Sequence, residues 1–115
     1  MKSGILFKQG EIVLVSFPFT DLTNTKQRPA VVISKNEYNN AKKDVIVCGI
    51  TSQLKETKES ILITNQDLEK GNLPKISLIK IDKIFTLDKN IFKRSLGEVK
   101  KETLQQVKQK FHELF

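Results

Sequence analysis

The stretch from Glu11 to Ser34, E-I-V-L-V-S-F-P-F-T-D-L-T-N-T-K-Q-R-P-A-V-V-I-S, restricts the fold of this chain more than any other. Two apolar runs, Ile12 to Phe19 and Ala30 to Ile33, flank a polar segment that ends in Arg28 and Pro29. β-Branched runs of this length form strands buried on most sides, whereas residues 18–27, rich in Thr, Asp, Asn and Lys without periodicity, read as a loop. Proline lacks an N–H and disfavours helical backbone at the residue before it. Arg28 is therefore extended at the mouth of a second strand, whose first position Pro29 can occupy. There it holds out a permanently charged, planar fork of donors suited to phosphate oxygens. A solvated arginine paired with an acid such as Asp21 has the same sequence appearance.

The rest of the chain continues in short strands. Residues 44–52, D-V-I-V-C-G-I-T-S, form a third strand ending in hydroxyls and then Gln53; residues 60–64 form a fourth. Residues 76–81 alternate as a fifth, and 83–87 continue as a bent or separate short strand. Between these lie a turn or single helical turn over 36–43 with Tyr38 inward, a hairpin loop over 54–59, and a loop over 65–74 with a helical turn near 66–70. Residues 88–95 are a charged connection. From 100 to 115 the period changes: Leu104, Val107, Phe111 and Leu114 make the stripe of an amphipathic helix. Five or six short strands before one terminal helix predict a mainly β fold, a small, strongly bent sheet or partly open barrel capped by that helix. By size the chain is one domain, 1–115, with residues 1–9 as a lead-in.

Several function classes lose support. There is no Walker loop, G-x-G-x-x-G, H-E-x-x-H or C-x-x-C, so nucleotide hydrolysis, dinucleotide binding and zinc chemistry have no motif, and no cofactor is expected. His112 is the only histidine and lies on a helix flank, a poor place for a serine hydrolase base. Cys48, the only cysteine, sits in V-I-V-C-G-I and reads as a small buried hydrophobe. No apolar run reaches the ~20 residues of a membrane helix, and the N-terminus has no signal h-region, so the expected location is the cytoplasm. A net charge of +7, from 20 Lys and Arg against 13 acids, favours a polyanionic or acidic partner, although all but two of the cations are lysines, a composition that also serves solubility.

The polar groups left at strand ends are Arg28; Thr51 with Ser52 and Gln53; and Lys80 with Asp82. In order and spacing, G-E-I-V-L-V-S-F-P-F-T-D, Q-R-P-A-V-V-I-S, I-T-S-Q, S-L-I-K-I-D-K-I-F-T-L-D and L-G-E-V before the terminal helix resemble the MazF/PemK family of toxin endoribonucleases, over nearly the whole chain from Gly10. The resemblance implies an SH3-like curled sheet or barrel of the MazF/PemK/CcdB toxin type and a homodimer. It further implies metal-independent cleavage of single-stranded RNA by 2′-hydroxyl attack, leaving 2′,3′-cyclic phosphate and 5′-hydroxyl ends. It makes Arg28 and Thr51 the catalytic pair and puts Lys80-x-Asp82 where some members carry Arg-x-Asp. The implied neutralising partner is a cognate antitoxin with an acidic disordered tail.

The residue types can be weighed against that chemistry. Arg28, a permanently charged fork of donors, suits a phosphate clamp better than a proton donor. Thr51 can hydrogen-bond a phosphoryl oxygen but is too weak an acid to be a free base. Asp82 is the carboxylate available as general base, and it equally fits an ordinary ion pair with Lys80 or Lys83. RNA contacts are expected from Phe19, Thr20, Lys26, Gln27, Ser52, Gln53 and Lys80. Phe17 or Phe19 could stack a base, and both also fit a core. The loop before Arg28 is short and lacks the glycine-and-glutamate segment of the best-known members, so base selection would differ. Lys80 in place of arginine loses a bidentate fork. Two other readings remain: a non-catalytic toxin of the same fold that binds DNA gyrase, and a nucleic-acid-binding barrel that does not cleave.

Overall fold

The structure is a computed structural model that describes residues 7–18 and 25–115. Seven strands form one sheet: β1 (Glu11–Pro18), β2 (Thr25–Val32), β3 (Asp44–Thr51), β4 (Ser60–Ile63), β5 (Leu68–Gly71), β6 (Ser77–Asp88) and β7 (Phe92–Val99). Their spatial order is β4-β6-β3-β2-β1-β7-β5, and every pairing is antiparallel. Helix α1 (Asn36–Ala41) links β2 to β3, and helix α2 (Lys101–Leu114) follows β7.

The continuous apolar runs now have a cause. Alternate residues of the central strands enter two separate clusters, so both faces are buried and neither can be polar. Ile12, Val31, Cys48, Ile50, Ile79 and Ile81 belong to one cluster, against which Leu104 and Phe111 of α2 pack around the buried Val107. Val13, Val15, Ala30, Val32, Val45 and Val47 belong to the other, covered by Phe7, Phe92 and Ile91. The sheet curls around the first cluster into a half-barrel closed by α2, the mainly β fold with a terminal helix expected from the sequence.

Three boundaries differ from the expectation. β2 starts at Thr25, so Lys26 and Gln27 lie in a strand paired with β1, and Pro29 is interior to it. The proline is tolerated because the ladder from β2 to β3 begins only at Ala30, beyond the missing N–H. Residues 92–99, of which 92–95 read as connection in the sequence, are β7, a strand held between β1 and β5 by pairing that its own polar sequence does not advertise. Within 65–74, a 3-10 turn (Asn65–Asp67) with a Thr64 and Asp67 capping box leads into β5.

In α1 the inward residue is Asn39, 1% exposed, while Tyr38 is half-buried. Asn39 Oδ1 accepts from the Ser34 hydroxyl, and its Nδ2 donates to the carbonyl oxygens of Phe7 at 3.1 Å and Ser34 at 2.9 Å. A helix of this length has little stability of its own, and these bonds fix it on the end of β2.

Cys48 is fully buried, as its apolar setting implied, with its thiol 3.7 Å from the Ile81 carbonyl. Burial, with a smaller contribution from the Asp82 carboxylate, pushes the thiol from 9.0 up to about 12. The unfolded chain therefore releases this proton before the folded chain does, and folding stability falls as pH rises from 9.0 towards 12. Denaturant titrations across that range should show a steeper loss for the wild type than for Cys48→Ala. Equal slopes would mean that the thiol titrates normally.

Candidate active site

The site is built by strand register. In the β2–β3 ladder Ala30 is opposite Gly49, and two residues further along each strand stand Arg28 and Thr51. Paired positions share a face, so the two side chains emerge on the same side of the sheet. Both line a cleft of about 700 Å³ together with Gly49, Gln53, Lys55, Lys80, Lys83 and Phe85. Arg28 is exposed at its mouth, and Thr51 is half-buried.

β6 forms the opposite wall and carries an irregularity. Lys80 is opposite Gly49, yet the next β3 residue, Cys48, is opposite Ile84, so Ile81, Asp82 and Lys83 bulge out of the ladder. An odd number of extra residues exchanges the two faces of a strand. Before the bulge Lys80 faces the cleft; after it Lys83 and Phe85 do. Ile79, Ile81 and Ile84 meanwhile all reach the helix-side cluster. The change of spacing from two to three among those isoleucines is the trace of the bulge in the sequence.

The lining therefore contains Arg28 and three lysines, Lys55, Lys80 and Lys83, and no carboxylate among the described residues. Thr51 Oγ1 accepts the Gln53 backbone N–H at 3.1 Å, which leaves its hydroxyl hydrogen to be donated elsewhere. The segment bearing Lys55 and Thr57 is fastened at its end, where Thr57 N–H donates to Ser60 Oγ at 2.9 Å and Ser60 Oγ–H donates back to the Thr57 carbonyl at 2.9 Å. Four cations around a hydroxyl suit a polyanion.

Of the residues singled out in the sequence, the cleft brings together Arg28, Thr51, Gln53 and Lys80. Lys26, Gln27 and Ser52 are exposed but do not line it, and Asp82 is exposed within the bulge, where its charge is felt at the Cys48 thiol. Phe19, Thr20 and the ring of Phe17 lie outside what the structure describes. Gly49, Lys55, Lys83 and Phe85 were not foreseen as site residues. For Lys83 and Phe85 the advance sign was the broken alternation between Ile81 and Ile84; Gly49 and Lys55 had none. Among the described residues no three of His, Cys, Asp and Glu gather to hold a metal ion. No described helix is long and apolar enough to cross a membrane.

Residues 8–115 match the family model described as PemK-like, MazF-like toxin of type II toxin-antitoxin system. Solved structures share the fold. A MazE–MazF complex from Deinococcus radiodurans superposes with a TM-score of 0.78 at 21% identity, covering 96% of each chain. An endoribonuclease in complex with its cognate antitoxin from a mycobacterial species gives 0.76 at 19% identity, over 92% of this chain and 91% of that one. The Mycobacterium tuberculosis toxin MazF-mt6 gives 0.73 at 14% identity, over 90% and 93%. At these identities the likeness is one of fold.

Proposed function

Because this chain belongs to the PemK-like, MazF-like toxins of type II toxin–antitoxin systems, we propose that it is an endoribonuclease that cuts single-stranded RNA at the cleft of Arg28 and Thr51. The observation that carries this reading is the convergence of those two residues, from adjacent strands, in one cleft whose other charges are all positive. A gyrase-binding toxin or a passive barrel has no evident need for a hydroxyl set beside an arginine.

In this mechanism the ribose 2′-oxygen attacks the adjacent phosphorus. A 2′-O–P bond forms as the P–O5′ bond breaks, and the departing 5′-oxygen takes a proton from solvent water, leaving a 2′,3′-cyclic phosphate and a 5′-hydroxyl. Negative charge grows on the non-bridging oxygens, where Arg28 offers its fork and Thr51 its remaining hydroxyl hydrogen. Lys80 adds charge from the opposite wall, so the residues present can neutralise the phosphorane without a metal. We assign the 2′-proton, through one intervening water, to Asp82, which is exposed in the bulge next to the cleft-lining Lys83 and does not itself line the cleft. Asp82→Asn should then slow cutting by about 10²–10⁴, and an unchanged rate would move the base elsewhere. An antitoxin whose acidic tail orders on binding would compete with RNA for the same cations, and the toxin would act as a homodimer.

The direct test is incubation of purified protein with mixed-sequence single-stranded RNA in EDTA, followed by mapping of the cut ends. Discrete cuts with cyclic-phosphate ends are expected. Intact RNA would sink the nuclease reading, and cutting that stops only on chelation would sink the metal-free mechanism. Thr51→Val, which keeps the β-branched shape and removes the hydroxyl, should lower the rate by about 10²-fold without lowering the melting temperature.

A further inference from the structure

Phe85 has no part in the mechanism above, yet it lines the same cleft. It is 38% exposed although its β3 partner, Val47, is fully buried. It stands on the face of the second apolar cluster, at the point where that face opens into the cleft. Gly49 makes the opening. A Cβ built on Gly49 would lie 3.8 Å from Phe85 Cε2 and 3.7 Å from Lys83 Cβ, so the aromatic edge and the lysine stem flank a floor that carries no side chain. Among the described residues lining the cleft, Phe85 is the only aromatic, and it comes with four cations. An aromatic ring beside a cationic track is how single-stranded nucleic acids are held, the ring stacking a base and the cations following the phosphates.

We propose that Phe85 is a stacking platform for one RNA base beside the scissile phosphate, with Lys83 contacting the neighbouring backbone phosphate. This rests on the nuclease reading and deepens it. The occupant is an unpaired nucleotide, because a base held in a duplex cannot turn its face to a ring on the cleft wall. A purine offers the larger face and is preferred there. The β6 bulge is the device that creates the platform: in a regular strand Phe85 would face away from Lys80, into the helix-side core.

The test is an abasic scan. The RNA of the cleavage assay is made fully 2′-O-methylated, so that it cannot react, and each base in turn is removed. Binding to the wild type is followed by fluorescence anisotropy. One position should stand out, with affinity falling roughly 5- to 150-fold when its base is missing. In Phe85→Leu that position should lose its effect, and in Phe85→Tyr it should keep it. A structural role for the ring would weaken all oligonucleotides alike, without this coupling.

If no position stands out with the wild type, or if the same one stands out undiminished in Phe85→Leu, the platform is overturned. Cleavage in EDTA would in either case leave the nuclease reading standing. Coupling at Phe85 without cleavage would keep the platform and remove the nuclease. The wild-type scan alone decides the first point, so the test survives a variant that folds poorly.

Discussion

Arg28→Ala should lower the single-turnover cleavage rate by about 10²–10³, the loss that follows removal of one preorganised donor to a developing oxyanion. Arg28 is exposed, so the substitution should change stability by about 1 kcal/mol or less. The loss should appear in the chemical step more than in binding. Lys55, Lys80 and Lys83 remain to hold the phosphates, and removal of one cation reduces the salt slope of affinity by about one. Arg28→Lys keeps the charge and gives up the bidentate fork, so its rate should fall between the two. Single-turnover kinetics with a matched melting curve provide the check. A variant that cuts at the wild-type rate would place the chemistry outside this cleft.

The largest expected effect on stability is at Gly71. In the β5–β7 pair Gly71 is opposite Gly97, and the two backbones come so close that a Cβ on Gly71 would lie 2.1 Å from the Leu96 carbonyl oxygen. The clash is with backbone, which has no rotamer to yield. The φ of +85° adds the cost of a left-handed conformation for any residue with a side chain. Gly71→Ala should therefore destabilise by about 3 kcal/mol or more, a drop in melting temperature of roughly 10 °C or more.

Gly10 is the comparison that isolates the cause. Its φ of +94° is equally unusual, but its nearest neighbour would be a Val99 methyl at 3.4 Å, which can move. Gly10→Ala should cost about 1 kcal/mol. If Gly71→Ala melts no lower than Gly10→Ala, backbone proximity is not what requires glycine there.

Much of the fold was legible because burial leaves a periodic record. The β-branched runs of β1, β2 and β3 and the stripe Leu104–Val107–Phe111 each marked an element correctly. β7 was not legible. Its residues F-K-R-S-L-G-E-V are mostly half-buried or exposed, and their strand conformation comes from hydrogen bonds to β1 and β5 rather than from an apolar pattern. The interior position of Pro29 was hidden for a related reason. Whether a proline is tolerated depends on where the neighbouring ladder starts, which is a property of two strands.

The same division runs through the site. Proline chemistry placed Arg28 in extended backbone, the apolar run ended at Thr51, and the order of motifs identified the family. Those are local matters, written in residue type and spacing. Which side chains share a cleft is a matter of register, and register depends on pairing across strands distant in sequence. Alternation alone would set Lys80 and Asp82 on one face and Lys83 on the other. Because Ile81, Asp82 and Lys83 stand opposite no residue of β3, Lys83 and Phe85 join Lys80 in the cleft and Asp82 does not line it. Residue type and spacing marked β1 to β4, β6 and the terminal helix, and the family resemblance singled out Arg28 and Thr51. The second wall of the cleft emerged only from the pairing of β6 with β3, because the bulge exchanges the faces of the β6 residues that follow it.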